Sequence, residues 1–179
     1  HLVEYLNKEG AKIYVSDIHE DRLKQAASEF DAIAVSGADL FDLNIDILAP
    51  CAMGAILNTD TIGRLKCAIV AGAANNQLEH EEIHGPLIKD KGITYVPDFL
   101  INAGGLINVY SEHTGYNREI AMGDAEKIYD TTLLILKKAY NENIHTQKAA
   151  IMLAEQRILQ MKNVRAVSYT HLTLPTNRE

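Results

Sequence analysis

In four places in this chain, small or amide side chains follow directly after a short apolar run, a pattern able to hold a dinucleotide. They are Ile13-Tyr-Val-Ser-Asp17, Ala49-Pro-Cys-Ala52, Ala71-Gly-Ala-Ala-Asn-Asn-Gln77 and Pro97-Asp-Phe-Leu-Ile-Asn-Ala-Gly-Gly105. A carboxylate at the end of a strand, as at Asp17, can accept hydrogen bonds from adenosine ribose hydroxyls and would repel a 2′-phosphate, which favours NAD over NADP. The same Asp could equally cap a helix or hold a turn. Pro50 ends its strand by lacking an N–H, and the small residues after it let a flat ring or a ribose approach the backbone. An ordinary strand-to-loop junction would look the same. Cys51 has no base beside it in the sequence, and the expectation is a buried, inert thiol. Asn75 and Asn76 offer donors and acceptors to a ribose or a carboxamide, although at least one of them is expected to cap the following helix. At Asn102-Ala-Gly-Gly105 a new helix opens, with free amides and little side chain, which suits a ligand carboxylate or a nicotinamide edge. Tight helix packing is the other use for such glycines.

These residues need a scaffold, and the chain alternates strand and helix patterns. Strands are expected at Lys12–Ser16, Ala32–Val35, Ile45–Ala49, Ala68–Ala71 and Ile93–Val96. Helical patterns precede Gly10, cover Glu20 to Glu29, follow the capping run Asn58-Thr-Asp-Thr61 as far as about Lys66, and cover Glu79 to Lys91 with an interruption at Gly85-Pro86. This alternation predicts an α/β fold with a parallel, doubly wound, Rossmann-type sheet. Beyond it the pattern is helical only: Ala121, Ala125, Ile128, Thr132, Ile135 and Ala139 recur at helical spacing, and so do Ala150, Leu153, Ala154, Ile158 and Met161. Two helices should therefore pack back on the sheet or on another domain. The helical period fades from about Val164, so residues 1–163 are expected to form the domain and 164–179 a non-native or disordered tail.

The chain has 179 residues with 47% hydrophobic composition, enough for one domain with a substantial core. Its net charge of -7 argues against a nucleic-acid partner, which calls for a clustered basic surface. No apolar run is long enough to span a bilayer, and the two cysteines, Cys51 and Cys67, form no CxxC pair; a cytoplasmic protein is expected. His80-Glu-Glu-Ile-His84 matches the H-E-x-x-H pattern of zinc hydrolases. Pro86 disfavours helical geometry just before it, so His80 and His84 are expected not to hold a metal. Asp39, Asp42 and Asp46 lack the spacing of a calcium loop and are expected to solvate a loop.

Taken in order, Asp17, Ala49-Pro-Cys-Ala52, Gly72-Ala-Ala-Asn-Asn-Gln-Leu78 and Pro97-Asp-Phe-Leu-Ile-Asn-Ala-Gly-Gly-Leu-Ile-Asn-Val109 resemble the carboxy-terminal domain of the Glu/Leu/Phe/Val amino-acid dehydrogenases, most closely the leucine type. The resemblance covers roughly Leu2 to Lys162. It implies an NAD-dependent, reversible oxidative deamination of an L-amino acid to a 2-oxo acid and ammonia, in an enzyme assembled from identical subunits. It implies further that Asp17 and Ile18 meet the adenosine ribose, that Cys51, Ala52, Ala73, Ala74 and Asn75 line the cofactor path, and that Asn102 lies beside the nicotinamide and substrate. Leu106 and Val109 match the positions that shape the substrate pocket; both are apolar, which favours a branched aliphatic side chain over glutamate. Family members mostly carry Val where this chain has Leu106. The family's Gly-rich pyrophosphate turn and its catalytic Lys and Asp belong before His1, so no catalytic residue is expected in this chain and the first strand of the sheet is expected to be missing. The alternatives are a non-catalytic nucleotide-binding module and a zinc hydrolase.

Overall fold

The computed structural model describes residues 1–113 and 115–170, with side chains described as far as residue 162. It divides into two compact units, His1–Thr94 and Tyr95–Glu179.

The first unit alternates helix and strand: α1 (Leu2–Lys8), β1 (Tyr14–Val15), α2 (Glu20–Phe30), β2 (Ile33–Ala34), a 3₁₀ turn (Asp39–Asp42), β3 (Ile47–Leu48), α3 (Thr59–Arg64), β4 (Ile69–Val70) and α4 (Glu81–Asp90). Each strand lies inside an expected apolar run, which is the run's length trimmed to the residues that share ladder hydrogen bonds. Strands β1 and β2 pair in parallel, as do β3 and β4: Tyr14 faces Ile33, and Ile47 faces Ile69. Thr94 opens β5 (Thr94–Tyr95), and its N–H donates to Ala68 at 2.9 Å.

The expected single sheet is present as two ladders, β1-β2 and β3-β4-β5. In the second ladder the core is deep, with Leu48, Leu57, Ile62, Val70, Leu78 and Ile88 buried. In the first it is shallow: both residues of β2 are exposed.

Local chemistry sets the helix ends. Asn58 Oδ1 accepts from Thr61 N–H at 3.0 Å while Thr61 Oγ1 accepts from Asn58 N–H at 3.0 Å, a reciprocal cap that satisfies two amides at the start of α3. Helix α2 stops where Asp31 turns left-handed, with φ of 52°.

Helix α4 corrects the expected interruption, for it runs through Gly85-Pro86. The carbonyl that loses its donor to the proline is that of Glu82, in the exposed first turn where water can satisfy it. Gly85 has no Cβ to collide with the proline ring, which removes much of the usual penalty.

The second unit is helical: α5 (Asp98–Ile101), α6 (Gly104–His113), α7 (Arg118–Glu142) and α8 (Thr146–Thr170). The two expected helices pack on each other through Ile135, Ala139, Ala149 and Ala150, with Leu100, Ile144 and Leu153 closing the cluster. Asn117 Oδ1 caps α7 by accepting from Glu119 and Ile120 N–H groups, and Asn143 ends it with φ of 53°. Thr146 Oγ1 donates to Tyr95 O at 2.6 Å, tying the start of α8 to the end of β5. Helix α8 continues beyond Val164 to Thr170, and the part of the expected tail from 171 lies outside the described residues. Among the described residues, no helix is long and apolar enough to cross a membrane.

Candidate functional site

The first unit carries its candidate residues at the carboxyl ends of parallel strands: Asp17 and Ile18 after β1, Cys51 and Ala52 after β3, and Ala73, Ala74 and Asn75 after β4. The loops that follow β3 and β4 are zipped together. Ala74 N–H donates to Pro50 O at 2.9 Å, Ala55 N–H to Asn76 O at 2.7 Å, Leu57 N–H to Gln77 O at 3.0 Å, and Glu79 N–H to Leu57 O at 3.1 Å. Leu57 and Leu78 form a parallel bridge, so the seam extends the ladder beyond the strands proper.

The approach is close enough to demand glycine. A Cβ on Gly72 would lie 2.1 Å from Pro50 O and 2.3 Å from Pro50 N, and one on Gly54 would lie 2.7 Å from Asn75 O. Ala55 and Asn76 hold left-handed backbones, with φ of 55° and 52°, where the chain reverses on either side of the seam.

The surface this seam presents is built of Cys51, Ala52, Ala73 and Asn75, all exposed. Cys51 is therefore a correction: it is exposed, because Pro50 ends the strand and puts the thiol in the loop, whereas Cys67 is the buried one. Burial pushes the Cys67 thiol up from its ordinary value. Ala74 turns inward and is buried, so it supports the loop instead of facing outward. Neither Asn75 nor Asn76 occupies the N-cap of α4, which is His80; the left-handed turn at Asn76 sends Gln77 and Leu78 into the seam before the helix begins.

Asp17 is exposed at the tip of its loop. Its Oδ1 accepts from His19 N–H at 2.9 Å, and its Oδ2 lies 3.8 Å from the Arg22 guanidinium. The backbone hydrogen bond from His19, with Arg22 adding its charge, holds the carboxyl below the usual carboxylate range, so it is ionised at neutral pH. Turn-making and ligand-binding are thus compatible here, since Oδ1 makes the turn and Oδ2 has only the 3.8 Å ion pair with Arg22. Ile18 beside it is 91% exposed.

The second unit carries Asn102, Leu106 and Val109. Asn102 ends α5 as its C-cap, with φ of -94°, and α6 starts two residues later at Gly104. Leu106 is 74% and Val109 54% exposed, so neither is a core residue of the described structure. A Cβ on Gly104 or Gly105 would meet nothing within 4 Å, so these glycines do not serve tight packing.

The histidine motif has a structural use. His84 is buried; its Nδ1 accepts from His80 N–H at 3.0 Å, which leaves the proton on Nε2, and that nitrogen lies 3.2 Å from Thr59 Oγ1. Both ring nitrogens are engaged, one at the cap of α4 and one on α3. Among the described residues, no three His, Cys, Asp or Glu side chains converge as a metal site. Asp42 forms a two-pronged pair with Arg64, Oδ2 to Nη2 at 2.6 Å and Oδ1 to Nε at 3.2 Å, and Asp39 accepts from Ser36 Oγ, so these acids order their loop.

The model of the Glutamate/Leucine/Phenylalanine/Valine dehydrogenase family matches residues 3–168. The chain belongs to that family. Leucine dehydrogenase of Thermoactinomyces intermedius is 48% identical over 165 residues, which are 92% of this chain and 45% of that enzyme. The crystal structure of L-tryptophan dehydrogenase from Nostoc punctiforme superposes with a TM-score of 0.88 at 44% identity, covering 90% of this chain and 48% of that one. A hetero-hexameric glutamate dehydrogenase from Thermus thermophilus shares the fold at 18% identity, with a TM-score of 0.62 over 92% of this chain and 51% of that one. The chain thus spans about half the length of these family members.

Sequence reasoning did not find two side chains at these loops, Gln77 and Arg22, and it noticed His84 only as part of a metal motif. Gln77 could have been noticed as the one long polar side chain between Asn76 and the apolar Leu78, but residue type does not tell a buried amide from an exposed one.

Proposed function

We propose that this chain is the dinucleotide-binding part of an NAD-dependent amino-acid dehydrogenase of the leucine type, whose reaction is the reversible oxidative deamination of an L-amino acid to a 2-oxo acid and ammonia. The observation that carries the reading is the placement of small, exposed residues and one ionised carboxylate at the carboxyl ends of successive parallel strands, where this class of sheet binds ligands.

The residues present fit NAD. Asp17, ionised and exposed, would accept from the adenosine ribose hydroxyls, with Ile18 against the adenine side; its charge would oppose a 2′-phosphate. Cys51, Ala52, Ala73 and Asn75 would line the path of the remaining half, and Asn102 would hold the carboxamide or the substrate. NAD supplies the hydride acceptor when bound; this chain orients it and shapes the substrate side. Leu106 and Val109, on one face of α6, would take an apolar amino-acid side chain. Between aliphatic substrates the discrimination is shallow, about 1–3 kcal/mol per methylene.

The two ladders support a further part of the reading. A doubly wound dinucleotide sheet of order 3-2-1-4-5-6 divides, without its first strand, into 3-2 and 4-5-6, which are the orders β2-β1 and β3-β4-β5 seen here. We infer that the joining strand, the Gly-rich turn after it and the catalytic Lys and Asp belong to the half of the relatives that this chain does not match. Such a strand would lie between β1 and β3, beside Ile47, which is exposed. The whole enzyme would be cytoplasmic and assembled from identical subunits.

The test is to join this chain to the amino-terminal half of the Thermoactinomyces intermedius enzyme and follow leucine-dependent NADH formation by absorbance. Turnover that Asp17→Ala lowers supports the reading. A folded chimera that binds NAD without turning over any amino acid supports instead a nucleotide-binding module.

A further inference from the structure

We infer that Gln77 is a positioning residue for the nicotinamide half of the cofactor, an inference that rests on the reading of the strand edges as an NAD site. Gln77 is fully buried. Its Nε2 donates to Gly72 O at 2.6 Å and to Ala74 O at 3.0 Å, the two carbonyls that bracket Ala73, and its backbone carbonyl accepts from Leu57 N–H at 3.0 Å. One residue therefore clamps the loop after β4 from inside and fastens it to the loop after β3.

The orientation of the amide follows from its partners, since only the NH₂ group can serve two carbonyls. Oε1 in turn is buried without a partner, and leaving a buried acceptor unsatisfied is costly. An apolar residue of the same shape would avoid that cost, so what the amide contributes is the pair of bonds that fix the loop. The clamp works beside the seam bonds from Ala74 N–H to Pro50 O and from Ala55 N–H to Asn76 O, and it lies behind Ala73 and Asn75, which are exposed. Gln77 touches no candidate ligand-facing atom. It acts through the backbone of Gly72 to Ala74, setting where Ala73 and Asn75 stand, and Asp17 in its separate ladder is outside its reach.

The clamp predicts a selective effect. In the 179-residue chain, affinities for NAD and for adenosine monophosphate are measured by calorimetry in wild type, Gln77→Met and Gln77→Glu. Met keeps the shape and removes both bonds; the expected result is a loss of about ten-fold in NAD affinity, about 1.4 kcal/mol, with adenosine monophosphate unchanged. Glu donates to a carbonyl only when protonated, so its NAD affinity should fall as pH rises while wild type stays flat. Hydrogen exchange should quicken at the Ala74 and Ala55 amides in both variants, which reports the loosened seam without any ligand. Equal loss of both ligands would make Gln77 a stabilising residue only, and unchanged NAD affinity with unchanged exchange would remove the clamp; either result overturns the proposal. If wild type binds neither ligand while the seam amides still loosen in Gln77→Met, the failure lies in the NAD reading, and the positioning role falls with it.

Discussion

Gly72→Ala should strongly destabilise this chain. The new Cβ would lie 2.1 Å from Pro50 O and 2.3 Å from Pro50 N, both backbone atoms that cannot swing aside as a side chain would. Reaching tolerable contact needs a displacement of about 1 Å between the ends of neighbouring strands. That movement would break Ala74 N–H to Pro50 O at 2.9 Å and Gln77 Nε2 to Gly72 O at 2.6 Å. Overpacking costs about 1–3 kcal/mol and each of the two lost hydrogen bonds about 0.5–1.5 kcal/mol, so a destabilisation of about 2–6 kcal/mol is expected. Domains of this size are stable by about 5–15 kcal/mol, so the variant should unfold at much lower urea or fail to fold. Urea unfolding followed by circular dichroism measures it, with Gly63→Ala as the control. A Cβ on Gly63 meets nothing within 4 Å, and inside α3 it should stabilise by up to about 1 kcal/mol. A Gly72→Ala protein within about 0.5 kcal/mol of wild type would refute the reasoning, because the strand ends would then not be held at the distances described.

Further tests use side chains of contrasting environment. A thiol reagent at pH 8 should label Cys51 rapidly and Cys67 only on unfolding, and NAD should protect Cys51; two fast thiols in the folded chain would contradict the burial and the raised titration of Cys67. His84→Ala should cost about 2–4 kcal/mol by emptying a buried site and freeing the His80 and Thr59 partners, whereas His80→Ala, which leaves the bonded backbone N–H in place, should stay within about 0.5 kcal/mol; equal losses, restored by zinc, would revive the metal reading. Ala55→Gly should stabilise by about 0.5–1 kcal/mol by relieving the left-handed backbone, and a destabilised variant in thermal melts would count against that conformation. Asp17 and Asp42 both titrate below the ordinary carboxylate value of about 3.9, Asp17 through His19 N–H and Asp42 through Arg64. A depressed folded value means stability that is present above the unfolded value and lost as pH falls through the folded one. Acid unfolding should thus steepen below about pH 4, and Asp42→Asn should flatten that limb; an unchanged acid limb would show that the pairs contribute nothing.

The strands were legible because each is an apolar run closed by Pro, Gly or a small residue, and each observed strand falls within its expected run. The reciprocal cap at Asn58 and Thr61 was legible for a similar reason, since those residue types at that spacing have one local use. Residues whose environment is set from a distance were not. Cys51 follows an apolar strand and looked buried, yet Pro50 turns it outward. His84 matched a metal motif, but the hydrogen bonds that define it come from Thr59 on another helix and from the backbone of His80. The continuation of α4 through Pro86 depends on Gly85 lacking a Cβ and on the exposed position of Glu82, neither of which periodicity records. At the strand edges of the first unit the order Asp17, Cys51, Ala73 and Asn75 was readable along the chain, while the seam that fastens part of them, through Gly72, Pro50 and Gln77, was visible only in three dimensions.

If the strand edges bind NAD, Asp17 sets the preference for it over NADP. Calorimetric titration of the chain with NAD and with NADP, in wild type and Asp17→Ala, tests this most directly. Saturable binding of one NAD, weaker binding of NADP and loss of that preference in Asp17→Ala is the predicted result. Equal affinity for the two dinucleotides in wild type, unchanged by the substitution, would contradict it.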